Sequence, residues 1–449
     1  MDIREQLHDA LDAEDIPSPT LLSRSIARLD SPRPQRSEGR LAAAIAGVIA
    51  IAVILTMISV RLNSTQSTLP TLPPAIAISN LLDYDFISPQ VGFVELRSTA
   101  VIFATTSDGG RSWHQILALR GQTSTPVMQW LDSRTGFVVG QQGHPAVVWR
   151  TIDGGVHWQS HAVPVPQDAA PFGSGSVAEG STLETAFFLN PVQGWVVYRY
   201  QGDCGGCGLW AERFVYATSD GGLHWTEVGT STLRSAERRL TFFTSSWGVL
   251  SSPSAFYELD VSHDGGRTWQ EAVIPEFVGR CKVTCEVNGR ETHAFFEGDR
   301  GLMAISWCLG EAGSPAGAAC YQTFPFKPTE AHLYSTIDGG LTWDYVRDLP
   351  LSTGSITFID IQRAVIVGSE GVSWTSDAGH TWSSPFASPV PSGWYAETLE
   401  FGDAQHGWLV LTSSASHVSM GIVNPADRFQ LLATSDGGAS WYPVLLPKV

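Results

Sequence analysis

Residues 106–113 of this 449-residue chain read T-S-D-G-G-R-S-W, and the same eight-residue motif returns six more times. The other copies are T-I-D-G-G-V-H-W (151–158), T-S-D-G-G-L-H-W (218–225), S-H-D-G-G-R-T-W (262–269), T-I-D-G-G-L-T-W (336–343), T-S-D-A-G-H-T-W (375–382) and T-S-D-G-G-A-S-W (434–441). Consecutive motif aspartates are 39 to 74 residues apart, and the shortest spacing matches one four-stranded propeller blade. The repeat predicts an all-β fold, a seven-bladed β-propeller of four-stranded blades.

Each motif belongs to a longer unit. A short apolar run that carries Gly or Trp precedes most copies, as in Gly136-Phe-Val-Val-Gly140 and Gly194-Trp-Val-Val197. An alternating segment such as Ser355-Ile-Thr-Phe358 stands before the run, and another such as Ala146-Val-Val-Trp149 directly precedes the motif. The unit is therefore predicted to be strand, strand, strand, motif turn, strand, and seven units close a ring that leaves no long sheet edge open.

The residue types of the motif suit a tight hairpin between the third and fourth strands of a blade. Its second glycine permits a positive φ, its aspartate accepts hydrogen bonds from the turn's own amides, and its tryptophan buries a large apolar face. Because one active site needs distinct residues that converge once, seven identical carboxylates are predicted to be structural. These structural residues are Asp108, Asp153, Asp220, Asp264, Asp338, Asp377, Asp436, Trp113, Trp158, Trp225, Trp269, Trp343, Trp382 and Trp441.

Two motif copies depart from the usual Ser or Thr before the tryptophan, since His157 and His224 stand there. We interpret them as tolerated replacements rather than as a pair of metal ligands. The sequence has no nucleophile elbow, HExxH, P-loop or dinucleotide fingerprint. It therefore predicts no catalytic residue, no metal site and no cofactor.

The S/T-x-D-x-G-x-T/S-W pattern resembles the Asp-box, or bacterial neuraminidase repeat. The longer unit, G-[FW]-x-V-G followed by T-x-D-G-G-x-x-W, covers about residues 78–447 and most resembles the photosystem II stability/assembly factor family of seven-bladed propellers. That resemblance implies non-enzymatic binding to membrane-protein assembly intermediates on the far side of a membrane. Asp-box propellers also occur in sialidases, sortilin-type receptors and xyloglucan hydrolases, so the motif specifies fold more than function.

Residues 41–60, LAAAIAGVIAIAVILTMISV, contain neither a charged residue nor a proline. Twenty such residues in a helix span about 30 Å, the thickness of a hydrocarbon core, and they lie too far from the start for a signal peptide. The sequence therefore predicts a transmembrane signal anchor over 41–61. It also predicts a cytoplasmic helical tail at 1–40, a Ser/Thr/Pro linker at 62–75 and the propeller at 76–449.

Basic residues set the predicted orientation. Five arginines lie between residues 24 and 40, just before the helix, whereas Arg61 is the only basic residue between the helix and Arg97. The positive-inside rule then places the N-terminus in the cytoplasm and the propeller outside it. The chain carries 27 basic against 44 acidic residues, a net charge of −17, which argues against nucleic acid as a partner. The predicted partners are the membrane, spanned once, and a protein on the extracytoplasmic side.

All six cysteines follow the predicted membrane helix, in pairs of short spacing: Cys204, Cys207, Cys281, Cys285, Cys308 and Cys320. They are candidates for disulfides in an oxidising compartment. A four-thiolate zinc site is the competing interpretation, and the distance in sequence between the pairs disfavours it. The cysteine-bearing loops are predicted to share the rim opposite the motif turns, where rigid loops suit binding. Aromatic residues that flank them are candidate contacts: Trp210, Trp307, Tyr321, Phe324 and Phe326.

An Asp-box propeller with this layout is compatible with three functional classes. The first is a membrane-anchored extracytoplasmic scaffold that binds protein without catalysis. The second is a single-pass sensor or receptor that couples ligand binding outside to a regulator inside, through a tail whose Leu21, Leu22, Ile26 and Leu29 fall on one helical face. The third, a sialidase-like glycoside hydrolase, is disfavoured because the early Arg-Ile-Pro signature of that class is absent from the sequence. The scaffold is the predicted function.

Overall fold

The computed structural model describes eleven segments of the chain: 81–143, 145–166, 181–203, 209–231, 239–251, 259–275, 288–308, 330–350, 355–368, 370–413 and 428–447. These segments all belong to one compact unit, and the second unit, Ile26–Ala75, contains none of them. No helix within these segments is long and apolar enough to cross a membrane. The predicted tail (1–40), membrane helix (41–61) and linker (62–75) lie outside the described residues and stay predictions.

The described residues form strands that group, in chain order, into seven sheets. Blade 1 contains β1 (Leu81–Phe86), β2 (Gly92–Arg97), β3 (Val101–Thr106) and β4 (His114–Leu119). Blade 2 contains β5 (Val127–Trp130), β6 (Gly136–Gln141), β7 (Ala146–Thr151) and β8 (Gln159–Ala162). Blade 3 contains β9 (Ser181–Phe188), β10 (Gly194–Asp203), β11 (Leu209–Thr218) and β12 (Thr226–Ser231).

Blade 4 contains β13 (Arg239–Phe242), β14 (Gly248–Ser251), β15 (Leu259–Ser262) and β16 (Gln270–Glu271). Blade 5 contains β17 (Asn288–Glu297), β18 (Arg300–Cys308), β19 (Glu330–Thr336) and β20 (Asp344–Asp348). Blade 6 contains β21 (Ser355–Phe358), β22 (Ala364–Gly368) and β23 (Gly371–Thr375). Blade 7 contains β24 (Tyr395–Phe401), β25 (Gly407–Thr412), β26 (Phe429–Thr434) and β27 (Tyr442–Pro443).

Every sheet is an antiparallel meander of consecutive strands, and the first strands of several neighbouring blades contact one another. The first strands therefore lie innermost, around the central channel of the ring. The seven-bladed propeller predicted from the repeat is confirmed, with the motif turn between the third and fourth strands. Blade 6 differs in detail, because its outer segment pairs only through an isolated bridge between Val372 and Phe386.

Side-chain packing closes the ring between blade 7 and blade 1. Phe86 of β1 stacks on Trp408 of β25, with ring centroids 4.7 Å apart. The indole N–H of Trp113 in the first motif donates to the carbonyl oxygen of Leu445 at 2.6 Å. Among the described residues, neither sheet takes a strand from the other end of the chain, so side-chain packing and not strand pairing closes this joint.

An aromatic belt runs around the propeller. One ring comes from each first strand, at its last residue or the one before it: Phe86, Trp130, Phe188, Phe242, Phe296, Phe358 and Phe401. Phe188 shows the arrangement, since its ring stacks on Phe137 of the preceding blade at 3.7 Å and meets the motif tryptophan Trp225 edge-on at 6.2 Å. Such pairs add to the stabilisation that comes from burying the rings, and in every blade except blade 6 the belt ring contacts both its own motif tryptophan and a ring of the preceding blade.

A glycine at or next to the start of the second strand makes room for most belt rings. A Cβ placed on Gly136 would lie 2.5 Å from the Trp130 ring, and one on Gly248 would lie 2.6 Å from Phe242. Blade 6 has Ala364 at this position, directly opposite Phe358, and that belt ring is only half-buried. The glycine in the G-[FW]-x-V run is therefore required by the ring that packs over it.

Candidate functional site

In each motif turn the aspartate carboxylate accepts its hydrogen bonds from groups of the same turn. In the first turn the Thr106 hydroxyl donates to Asp108 Oδ1 at 2.8 Å and accepts the Gly110 amide at 2.9 Å. Ser112 donates its amide to Oδ1 at 2.9 Å and its hydroxyl to Oδ2 at 2.6 Å. These donors lower the pKa of Asp108 well below its usual range. A carboxylate so bonded is a fixed part of the turn.

The other six turns repeat this geometry. His157 and His224 fill the hydroxyl's place, since each imidazole Nδ1 lies 2.7 Å from the Oδ2 of its own turn's aspartate. The amide and imidazole of His157 lower the pKa of Asp153 to about 2. No cluster of His, Cys, Asp and Glu among the described residues could hold a metal ion.

Both glycines of the motif have positive φ, for example 74° at Gly109 and 86° at Gly110. The motif alone predicts this need only for the second glycine. The second glycine also packs against the preceding blade, because a Cβ on Gly155 would lie 2.9 Å from Ile116. The two glycines thus allow both the backbone conformation of the turn and the close packing at the seam between adjacent blades.

The sixth turn carries the only non-glycine residue with positive φ among the described residues, Ala378 at 56°. An L-residue in this region costs about 1–2 kcal/mol, partly offset by the greater backbone entropy that glycine loses on folding. We expect Ala378→Gly to raise the free energy of unfolding by about 1 kcal/mol, measured by thermal and denaturant unfolding. The converse change at the matching position, Gly437→Ala, should destabilise. An unchanged or lower stability of Ala378→Gly would contradict a strained turn at this position.

On the rim opposite the motif turns, the hairpin of blade 3 is paired over more residues than that of any other blade in the described part of the chain. In blade 3, β10 and β11 are paired over ten residues, from Gly194 opposite Thr218 to Asp203 opposite Leu209. In blade 5, β18 and β19 are paired over seven residues. The matching hairpin of blade 4, between them, has only four pairs. At about 3.3 Å per residue, the described ladder of the blade 3 hairpin is about 20 Å longer than that of blade 4.

The binding residues predicted from the sequence belong to this rim. Trp210 stands opposite Gly202 in the extension of blade 3, and Trp307 opposite Glu330 near the end of the blade 5 hairpin. Their side chains, and that of Cys308 at the end of β18, lie outside what the structure describes. So do five other cysteines and three aromatic candidates: Cys204, Cys207, Cys281, Cys285, Cys320, Tyr321, Phe324 and Phe326. The disulfides and the aromatic contacts stay predictions.

Glu95 on β2 is a site residue that sequence reasoning missed. It is 0 % exposed, and both carboxyl oxygens lack a hydrogen-bond partner. Burial and the neighbouring Asp83 raise its pKa well above the usual range. The matching residue of the second strand is apolar or small in the other six blades: Val139, Val197, Ser251, Ala304, Val367 and Val410. Aligning the second strands would have singled out this carboxyl.

Asp83, directly opposite Glu95 on β1, faces the channel. Enclosure by the surrounding inner strands raises its pKa to about 6, and Asp85 adds to that effect while Arg239 of β13 opposes it. Asp85 has a structural contact, since its Oδ2 accepts the Trp130 amide at 3.2 Å and so links blade 1 to blade 2. Asp83 and Glu95 therefore form a pair of carboxyls, and Glu95 has no carboxyl counterpart in the other blades.

No protein-family model matches the chain, and no curated protein matches it. Among solved structures it is similar to YCF48 bound to a D1 peptide, at 17 % identity over 75 % of this chain and 91 % of that one, with a TM-score of 0.45. YCF48 from Cyanidioschyzon merolae is 15 % identical over 74 % of this chain and 88 % of its own, with a TM-score of 0.42.

An ancestral GH74 enzyme is 13 % identical over 83 % of this chain and 55 % of its own, with a TM-score of 0.43. The similar structures thus include both a peptide-bound protein and an enzyme. At these identities and scores they carry no argument about activity. The chain is a seven-bladed β-propeller, and what it does has to be argued from its own residues.

Proposed function

We propose that this protein is a membrane-anchored, extracytoplasmic scaffold that binds another protein without catalysis. The observation that carries the proposal is the hairpin of blade 3, whose strands are paired over ten residues on the rim opposite the motif turns. Loops held by a rigid scaffold are where binding residues concentrate, and a long paired hairpin provides such a rigid support. Membrane anchoring rests on the apolar segment 41–60.

The surroundings of the motif aspartates and of Glu95 support a non-enzymatic role. Glycoside hydrolysis needs two carboxyls on either side of a substrate. The motif aspartates are occupied by their own turns, and Glu95 is fully buried, so neither set meets that need. The sensor remains the second candidate, because the tail residues Leu21, Leu22, Ile26 and Leu29 share one helical face suited to docking a cytoplasmic partner.

The test is affinity capture from the source membranes with the full chain in detergent. In one variant Asn-Gly replaces residues 202–210, which joins Gln201 to its ladder partner Ala211 through a two-residue turn. A control variant carries Ile152→Ser and Val156→Ser, two exposed residues of a motif turn. We expect the shortened hairpin to reduce capture of a discrete membrane-protein partner at least about tenfold, a loss of about 1.4 kcal/mol in binding, and the control to retain it.

Three results would overturn the proposal that the protein is a scaffold. The first is equal capture by the shortened and the unaltered chain. The second is capture that depends only on residues 1–40, which would favour the sensor. The third is glycoside turnover by the purified chain that is abolished by changing a single carboxylate. Unchanged thermal unfolding of the shortened variant shows that the propeller itself is intact.

A further inference from the structure

We propose that Glu95 keeps its proton within the seam between blades 1 and 2, opposite Asp83, and that this seam loosens when the proton leaves. The protein would then carry a pH-sensitive joint, independent of what its rim binds. Three features support the joint: the register of the two strands, the burial of Glu95 and the charges that face the pair.

The register brings the two carboxyls together. Asp83 and Glu95 are directly opposite on antiparallel strands, so their Cβ atoms are about 4.5–5.5 Å apart on one face of the sheet. Phe93, two residues before Glu95, stacks on Trp130 of blade 2 at 3.5 Å. Side chains alternate along a strand, so Glu95 points into the same seam. Neighbouring seam residues are apolar, among them Phe103, Met128 and Val138.

Glu95 has no hydrogen-bond partner that could stabilise its charge. It is fully buried with two unpartnered oxygens, and an ionised carboxylate in such a place is far costlier than a protonated one. Two adjacent carboxyls cannot both ionise cheaply, so a pair of this kind retains one proton.

The charges around the pair come mainly from blade 1. Asp85 from β1 adds negative charge, while Arg97 at the end of β2 and Arg239 from β13 favour ionisation. Tyr84 also lies within electrostatic range of Asp83. The facing strands β3, β5 and β6 contribute no Asp, Glu, His, Lys or Arg. These strands therefore offer no cation to replace the proton, and its loss leaves two like charges opposed in an apolar seam.

The sign of the pH effect follows from the raised pKa values. The folded protein holds the Glu95 proton, which the unfolded chain releases near pH 4, so stability is greatest below that pH and falls as pH rises from there toward the raised pKa of Glu95. Each tenfold difference in proton affinity between the folded and unfolded states changes the unfolding equilibrium tenfold. Because folded Glu95 retains its proton well above the pH at which the unfolded chain releases it, we expect the unfolding equilibrium constant to rise at least about tenfold between pH 4.5 and 7.5.

The experiment compares unfolding of the full chain in detergent between pH 4.5 and 7.5. Glu95→Gln and Glu95→Val should abolish the tenfold change, and Glu95→Val, which restores the usual residue of the repeat, should be the more stable at pH 7.5. Glu297→Gln, at an exposed strand end, is the control and should follow the unaltered protein. If Glu95→Gln does not fold, Glu95→Val decides.

Two further measurements read the pair directly. Infrared difference spectra should show a protonated carboxyl near neutral pH that Glu95→Val lacks. Amide exchange in β2 and β5 should accelerate above pH 7 in the unaltered protein and not in that variant. The proposal would be overturned if the stability of the unaltered protein and of Glu95→Val depended on pH in the same way. It would also be overturned if the unaltered protein lacked the protonated carboxyl band. Loss of partner capture without these changes would concern the rim alone.

Discussion

Replacing Phe188 by alanine is expected to lower the free energy of unfolding by about 3–5 kcal/mol. The ring is 1 % exposed and lies between Phe137, 3.7 Å away, and Trp225, 6.2 Å away. Because Gly194 in the facing strand has no side chain that could fill the space, the cavity should persist. The free energy lost then includes both the transfer of the ring and the cavity that it leaves.

Phe358→Ala is the matched control, since it removes the same ring from the same position of another repeat. Phe358 is half-buried and faces Ala364 instead of a glycine. We expect its loss to cost about 1–2 kcal/mol, in proportion to the smaller area buried. Denaturant unfolding of the full chain measures both. If the two variants lose equal stability, the proposed role of the glycine and the belt is wrong.

Breaking the buried ion pair of blade 3 is the second large effect. Arg213 is fully buried, and its Nε lies 2.6 Å from Glu184 Oε2 while its Nη2 lies 3.0 Å from Oε1. Removing one partner of such a pair leaves an uncompensated charge in the interior, at a cost of about 3–5 kcal/mol. Arg213→Met should therefore destabilise the protein by that amount, measured by denaturant unfolding.

In the double variant Glu184→Leu with Arg213→Met no unpaired charge remains. Its free energy of unfolding therefore shows what the ion pair contributes, separately from the cost of leaving one charge unpaired. Since the desolvation of both ions is then avoided, we expect recovery to near the stability of the unaltered protein. Arg363→Met, which breaks the exposed Arg363–Asp360 pair, should cost less than about 1 kcal/mol. A double variant as unstable as Arg213→Met alone would show that the pair itself, and not the isolated charge, governs stability.

Only part of the candidate site could be predicted from the sequence. The rim that bears the long second-to-third strand loops follows from strand order alone, so Trp210 and Trp307 could be assigned to it. Glu95 could not be recognised as buried without knowing that blade 2 covers it. Its one sequence signal is weak, a carboxyl where six other second strands have Val, Ser or Ala.

The number of blades, the order of their strands and the structural role of the motif residues all follow from the amino-acid sequence without coordinates. They do so because these features are local: the hydrogen bonds that Asp108 accepts in its turn come from within four residues. Blade period and apolar alternation are likewise visible along the chain.

Ring closure and the contents of the seams emerge only once the chain is folded. Trp113 reaches Leu445 across 332 residues, and Arg239 of blade 4 acts on Asp83 of blade 1. Such contacts depend on which residues the ring brings together, and no local pattern encodes that. The D-G-G-x-x-W turns therefore specify the propeller, while the residue that most distinguishes this one from a regular repeat, Glu95, acquires its chemistry from the neighbouring blade.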